Sequence, residues 1–120
     1  MNGRVTANHA LLTIVLRFPQ RPDLALEFVV DTGFVGYLTL PPNAIATLRL
    51  PFLRRIAANL ADDSTIHVSV HAVTIVWDGG EREIELLATG SRPLLGTLLL
   101  DGHELTVRFI EGGMVSVESL

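Results

Sequence analysis

The stretch Phe28-Val29-Val30-Asp31-Thr32-Gly33 is where the local rules of this sequence break most sharply. Leading into it, Leu24, Leu26 and Phe28 alternate with Ala25, Glu27 and Val29. That period of two predicts a strand over Leu24–Val30. A strand with a continuous apolar end then delivers a carboxylate straight out of hydrophobic surroundings. Gly33 lets the backbone fold back close to that carboxylate. Thr32 adds a hydroxyl that donates or accepts a hydrogen bond beside it. Such parts suit a carboxylate held rigidly for acid–base work. The same tripeptide is also an ordinary turn, so its meaning depends on what the rest of the chain brings to it.

Upstream, Val5–Phe18 reads as one long apolar strand ending at Pro19, and Pro19–Asp23 is turn chemistry. The strand before Asp31 is therefore expected to pair with it as a hairpin. Downstream, Gly36–Leu40 resumes strand patterning until Pro41-Pro42. Pro42–Leu48 is the best helix candidate: proline is tolerated at a helix start, and Ala44, Ile45 and Leu48 share a face. Arg54–Leu60 reads equally as helix or strand. Asp62-Asp63-Ser64 is a polar turn, and Ile66–Trp77 is the longest alternating run, closed by the hairpin turn Asp78-Gly79-Gly80. Glu83–Leu86 alternates again, and Thr97–Leu100 has room for one or two helical turns. Leu105–Ile110 and Met114–Val117 form a last hairpin around Glu111-Gly112-Gly113. The expected architecture is all-β, mainly antiparallel, with one or two short helices.

Composition narrows the chemistry. The chain has 120 residues, which suits a single domain spanning 1–120. It is 48% hydrophobic and 18% charged, rich enough in apolar residues to build a core. All nine basic residues are Arg, against thirteen acids, and no basic cluster exceeds Arg54-Arg55. No nucleic-acid partner is expected, because neutralising phosphates needs a basic face. Cysteine is absent, which excludes disulfides, thiolate catalysis and thiolate metal sites. No apolar run approaches the ~20 residues that span a bilayer, and no secretory signal is evident, so no membrane partner and a cytoplasmic location are expected.

A second element gives Asp31 its context: Leu94-Leu95-Gly96, followed by Thr97-Leu98-Leu99-Leu100. With it, the sequence resembles the retropepsin-like aspartic proteases, and among them the bacterial single-lobe relatives. The shared pattern begins with apolar-apolar-Asp-Thr-Gly at Val29–Gly33, then Gly36, Leu38, Leu40 and Pro41. A polar turn at Ala61-Asp62-Asp63-Ser64 follows, then a long strand to Trp77-Asp78-Gly79. Apolar-apolar-Gly before a short helix and a C-terminal hairpin complete it. The resemblance covers about Val5 to Val117.

The resemblance implies a small closed β-barrel lobe. Asp31 would sit on a loop at a two-fold axis, flanked by Thr32 and Gly33, with Leu94, Leu95 and Gly96 supporting that loop from beneath. Ala61-Asp62-Asp63-Ser64 would be the tip of a flap. It also implies an endopeptidase acting as a homodimer on a peptide or protein substrate, with no cofactor. Two carboxylates about 3 Å apart cannot both be charged, so they share one proton. The ionised one takes a proton from a water held between them, while the neutral one protonates or polarises the scissile carbonyl. The expected pH profile is bell-shaped and belongs to the pair. Two positions depart from the family pattern. Phe34 stands where a small residue, often with a hydroxyl, is usual, and Asp62-Asp63 stands where Asp-Gly is usual. They motivate an alternative reading, in which the lobe binds peptide or dimerises without catalysis.

Other chemistries fit less well. In a strand His67 and His71 would lie about 13 Å apart, too far for one metal ion, so no metal site is expected. There is no Gly-x-Ser-x-Gly elbow, and Gly33-Phe34-Val35-Gly36 lacks the Lys of a phosphate loop.

Overall fold

In the computed structural model, which describes residues 1–59 and 62–120, the first hairpin comes earlier than the sequence pattern suggests. Val5–Phe18 is not one strand. It is divided between β1 (Asn2–Thr6) and β2 (His9–Phe18) by a tight turn in which Ala7 and Asn8 both take positive φ, 49° and 65°. Asparagine tolerates that region and alanine does not favour it. The side chain of Glu111 stabilises the turn by accepting the Ala7 amide at 3.1–3.2 Å.

From β2 the chain turns into β3 (Arg21–Val30), antiparallel to it with Leu12 opposite Phe28 and Leu16 opposite Leu24. Pro22 is accommodated near the start of β3, where a missing amide costs the ladder little. The Asp31 loop leads to β4 (Leu38–Leu40), then α1 (Pro42–Leu48), which follows Pro41 at its N-cap and buries Ile45. Arg21 donates to the Leu48 carbonyl at 2.8 Å, so a cation meets the unsatisfied C-terminal end of that helix.

The ambiguous segment is a strand as far as Asn59, Leu60 lying outside the described residues: it belongs to β5 (Phe52–Asn59), an exposed sheet edge that pairs with β6 (Thr65–Trp77). β6 turns tightly into β7 (Gly80–Ala88) through Asp78 and Gly79 at φ 52° and 77°. Then come β8 (Leu94–Leu95), α2 (Thr97–Leu100), β9 (His103–Val107) and β10 (Met114–Ser119). The last hairpin is therefore narrower than expected, and Phe109 and Ile110 lie in its connection rather than in a strand.

The strands form one sheet in the order β5-β6-β7-β4-β8-β3-β2-β1-β10-β9, and β6 also pairs with β2. That extra pairing, Val15–Arg17 against Thr74–Val76, folds the sheet back across its own core. The core holds Leu12, Ile14, Leu16, Phe28, Leu38, Ile75, Leu86, Leu95 and Leu99, all essentially without solvent contact. The chain is thus mostly β with two short helices. No helix among the described residues is long and apolar enough to cross a membrane.

His103 ties the C-terminal hairpin to the β6–β7 turn. Its ring meets Trp77 edge-on at 5.3 Å, its Nδ1 faces the Asp101 carbonyl at 2.9 Å, and its Nε2 pairs with the Asp78 carboxylate. Burial disfavours the imidazolium, but the Asp78 hydrogen bond, the Asp101 carbonyl and the Asp78 charge outweigh it, so the His103 pKa is raised above 6.5. A raised folded-state value means that the ring adds stability below about pH 6.5 and loses it as pH rises through the folded value. Wild type should therefore lose urea resistance between pH 6 and pH 9. His103→Gln should flatten that part of the profile. Parallel wild-type and variant profiles would show that His103 is not its source.

Candidate functional site

β3 ends at Val30, and its direction carries Asp31 out of the sheet onto a loop that returns at β4. What holds the loop is β8. This two-residue strand lies between β3 and β4, parallel to the first (Val29 opposite Leu94, Val30 opposite Leu95) and antiparallel to the second (Leu38 opposite Leu95, Thr39 opposite Leu94). The two strands flanking the Asp31 loop are thus both hydrogen-bonded to one inserted strand. β4 is also paired with β7, in parallel, on its other side.

Backbone bonds continue beyond the ladder. The Asp31 amide donates to the Leu95 carbonyl at 2.9 Å, and the Gly96 amide to the Tyr37 carbonyl at 2.9 Å. The Thr97 amide donates to the Phe34 carbonyl at 2.9 Å, and the Leu98 amide to the Gly36 carbonyl at 3.1 Å. The first residues of α2 therefore satisfy the carbonyls of the Asp31 loop, which a loop of this length could not satisfy internally. Leu95 is fully buried beneath the loop, and Leu94 is half-buried.

Gly96 and Gly36 make this approach possible. A Cβ on Gly96 would lie 2.6 Å from the Phe34 carbonyl oxygen and 2.6 Å from the Phe34 ring. A Cβ on Gly36 would likewise run into that ring, at 2.6 Å from Cε1. The Phe34 ring thus occupies the space left by two missing side chains, and its residue is half-buried. No hydroxyl is present at that position.

Within the loop, Asp31 is half-exposed, while Thr32 and Gly33 are exposed. The Gly33 amide donates to Asp31 Oδ1 at 2.9 Å, and the Phe34 amide to the Asp31 carbonyl at 3.2 Å. The backbone, rather than Thr32, is thus the donor that orients this carboxylate. A Cβ on Gly33 would sit 3.2 Å from Oδ1, so the carboxylate and the glycine are in close register.

Thr39 belongs to the site although sequence reading did not single it out. It is the one buried polar side chain among the described residues. Its Oγ1 accepts the Leu94 amide at 3.2 Å and lies 3.5 Å from the Arg92 carbonyl, pinning the start of β8 onto β4. The available signal was a hydroxyl between Leu38 and Leu40 in an otherwise apolar strand. Thr97, whose Oγ1 lies 3.4 Å from the Phe34 carbonyl, is a second such residue.

The candidate flap divides. Ala61 lies outside the described residues. Asp62, Asp63 and Ser64 form the described part of the β5–β6 connection, and the Asp62 carboxylate accepts both the Ser64 amide at 3.0 Å and the Ser64 hydroxyl at 2.5 Å. Those two bonds hold the Asp62 carboxyl below the usual carboxylate range. Asp63 adopts φ 66°, the conformation that the usual glycine would take without strain. Nearer the base of the same hairpin, Arg54, Ile56 and Val70 face Val35 and Tyr37 of the Asp31 loop, Leu38 of β4 and Leu98 of α2, across a groove of about 260 Å³. Arg54 is paired with Glu85 at its edge.

The histidines do not gather around the loop as a set. His71 is bonded to the Leu50 carbonyl and to Ser69, both at 3.0 Å, and His67 is exposed. Among the described residues no group of three or more His, Asp or Glu side chains is placed to hold a metal ion. The chain matches no protein-family model and no curated protein.

The clamp makes a quantitative demand on Gly96. Gly96→Ala should cost roughly 3 kcal/mol in chemical denaturation, the upper part of the range for overpacking, because backbone rather than a flexible side chain stands in the way. Gly102→Ala has open space around it but a positive φ of 78°, and it should cost only about 1 kcal/mol. A Gly96→Ala variant as stable as wild type would mean that the loop does not depend on this approach.

Proposed function

We propose that this chain is one lobe of a homodimeric aspartic endopeptidase of the retropepsin-like kind, with Asp31 from each copy forming the catalytic pair. The observation that carries the reading is the insertion of Leu94-Leu95 between the strands on either side of Asp31, continued by the amides of Gly96, Thr97 and Leu98 bonding back to the loop. A polar turn that merely connects two strands needs no such support. A carboxylate that must be held against movement during proton transfer does. The fold-back of the sheet through the β6–β2 pairing supports reading it as a small closed barrel.

In this reading Thr32 and Gly33 frame the carboxylate, with the Gly33 amide fixing Oδ1. Two such loops facing one another bring their carboxylates to about 3 Å, where one proton is shared. The ionised carboxylate takes a proton from a bound water, whose oxygen adds to the scissile carbonyl carbon. The protonated carboxyl gives its proton to the carbonyl oxygen, and a tetrahedral diol results. Transfer of a proton to the amide nitrogen then breaks the C–N bond, releasing an acid and an amine and regenerating the pair. No covalent enzyme intermediate forms. The groove between the β5–β6 hairpin, the loop and Leu98 would take an apolar side chain of the peptide. Phe34, directed at Gly36 and Gly96, leaves the carboxylate uncovered. The turn Asp62-Asp63-Ser64 would close over the substrate.

Asp31→Asn should lower peptide hydrolysis by on the order of 10²–10⁴-fold, as expected for removing an acid–base group, with circular dichroism and solution mass unchanged. Activity that persists in that variant would sink the assignment. Tight peptide binding by wild type without turnover would favour a binding lobe instead.

A further inference from the structure

We propose that Phe109 and Ile110 form the surface by which one copy of the chain holds a second, each such tip seating against the flank formed by Val35 and Leu98 of the other copy. The proposal rests on reading Asp31 as half of a two-carboxylate site, which is incomplete without another copy. All four side chains are large, apolar and exposed: Val35 77%, Ile110 69%, Phe109 67% and Leu98 43%.

The tip is firmly built. The Val5 amide donates to the Gly113 carbonyl and the Gly112 amide to the Val5 carbonyl, both at 2.8 Å. The Gly113 amide donates to the Ile110 carbonyl at 2.7 Å, and the Ile110 amide to the Arg108 carbonyl at 2.9 Å. Glu111 is engaged with the Ala7 amide. The backbone of 108–113 is thus tied down at several points while two adjacent apolar side chains are presented to water. That combination is characteristic of a contact surface.

Strand directions put the tip at the same end of the sheet as Asp31. Leu11 pairs with Val29, Thr6 with His9, Arg4 with Met114 and Val115 with Val107. The end of β3, the β1–β2 turn and the β9–β10 connection therefore share one rim. The sheet order sets them on opposite sides of Asp31. Passing from β3 through β2 and β1 to β10 leads to the tip, and passing through β8 to β4 leads to the loop and helix that bear Val35 and Leu98. The tip is three strand spacings from β3, about 14 Å. In the proposed pair the two-fold axis through Asp31 runs across the sheet rather than along its rim, which exchanges the two sides, so each tip meets the opposite flank of the other copy and the contact is made twice. Apolar side chains suit such a contact, since it sets no like charges against one another.

The absence of cysteine makes this directly testable. Phe109→Cys and Leu98→Cys, prepared singly and mixed under mild oxidation, should give a disulfide-linked mixed pair at twice the chain mass. Each alone should give little. The double variant Phe109→Ser with Ile110→Ser should keep its circular dichroism spectrum and weaken self-association at least about tenfold by sedimentation. A wild-type dimer with no mixed disulfide, with the Phe109→Cys variant cross-linked only to itself, or with association unchanged in the serine variant would overturn this seating while leaving the catalytic pair intact. A wild type monomeric at all concentrations would overturn both.

Discussion

The contact between the Asp31 loop and the start of α2 depends on two positions without side chains. Gly36 and Gly96 let backbone meet backbone, and the Phe34 ring fills the remaining volume. With backbone so close, the amides at 96, 97 and 98 reach carbonyls at 37, 34 and 36. Each bond alone is worth about 1 kcal/mol net. Their joint effect is geometric, since they leave the loop no independent way to move. The buried Leu95 beneath adds an apolar anchor, and Thr39 removes the cost of an unpaired amide at Leu94. The site is therefore built by residues more than fifty positions apart in sequence, converging on a single inserted strand.

That convergence explains how an otherwise antiparallel protein comes to contain parallel pairs. Hairpins generate antiparallel neighbours directly, and β1–β2, β2–β3, β5–β6, β6–β7 and β9–β10 all arise this way. β8 cannot, because the space it enters is already flanked by β3 and β4. It follows β3 in parallel on one side and opposes β4 on the other. β4 in turn has only β7 free on its far side, again in parallel. The insertion of two residues sets the arrangement of four strands.

Much of this was legible in the residues, and what was not has definite causes. Pro42–Leu48 is the observed helix because a proline-rich start and a buried Ile45 both act locally. β6 and its turn follow from an alternation that changes its buried face near Ala72, and from Asp78-Gly79. The sequence does not signal the Ala7–Asn8 turn, because a tertiary partner, Glu111, supports a conformation that the dipeptide does not advertise. Arg54–Leu60, described as far as Asn59, reads ambiguously because an exposed edge strand buries too little for a period of two to dominate. Asp31 and Leu94–Gly96 could be picked out, but not the bonds joining them, since a two-residue strand carries no periodicity. Thr39 was passed over because its role depends on an amide fifty-five residues away.

The exposure pattern around this loop argues against a self-sufficient site. The role proposed for Asp31 needs an acid–base partner nearby, and among the described residues the hydrogen-bond donor that the chain supplies to this carboxylate is its own Gly33 amide. Val35 and Leu98, meanwhile, stand out into solvent beside it, although the core has ample apolar material and does not require them there. The proposed association accounts for them: the surface that would complete the chemistry and the surface that would stabilise the pair lie along the same rim of the sheet.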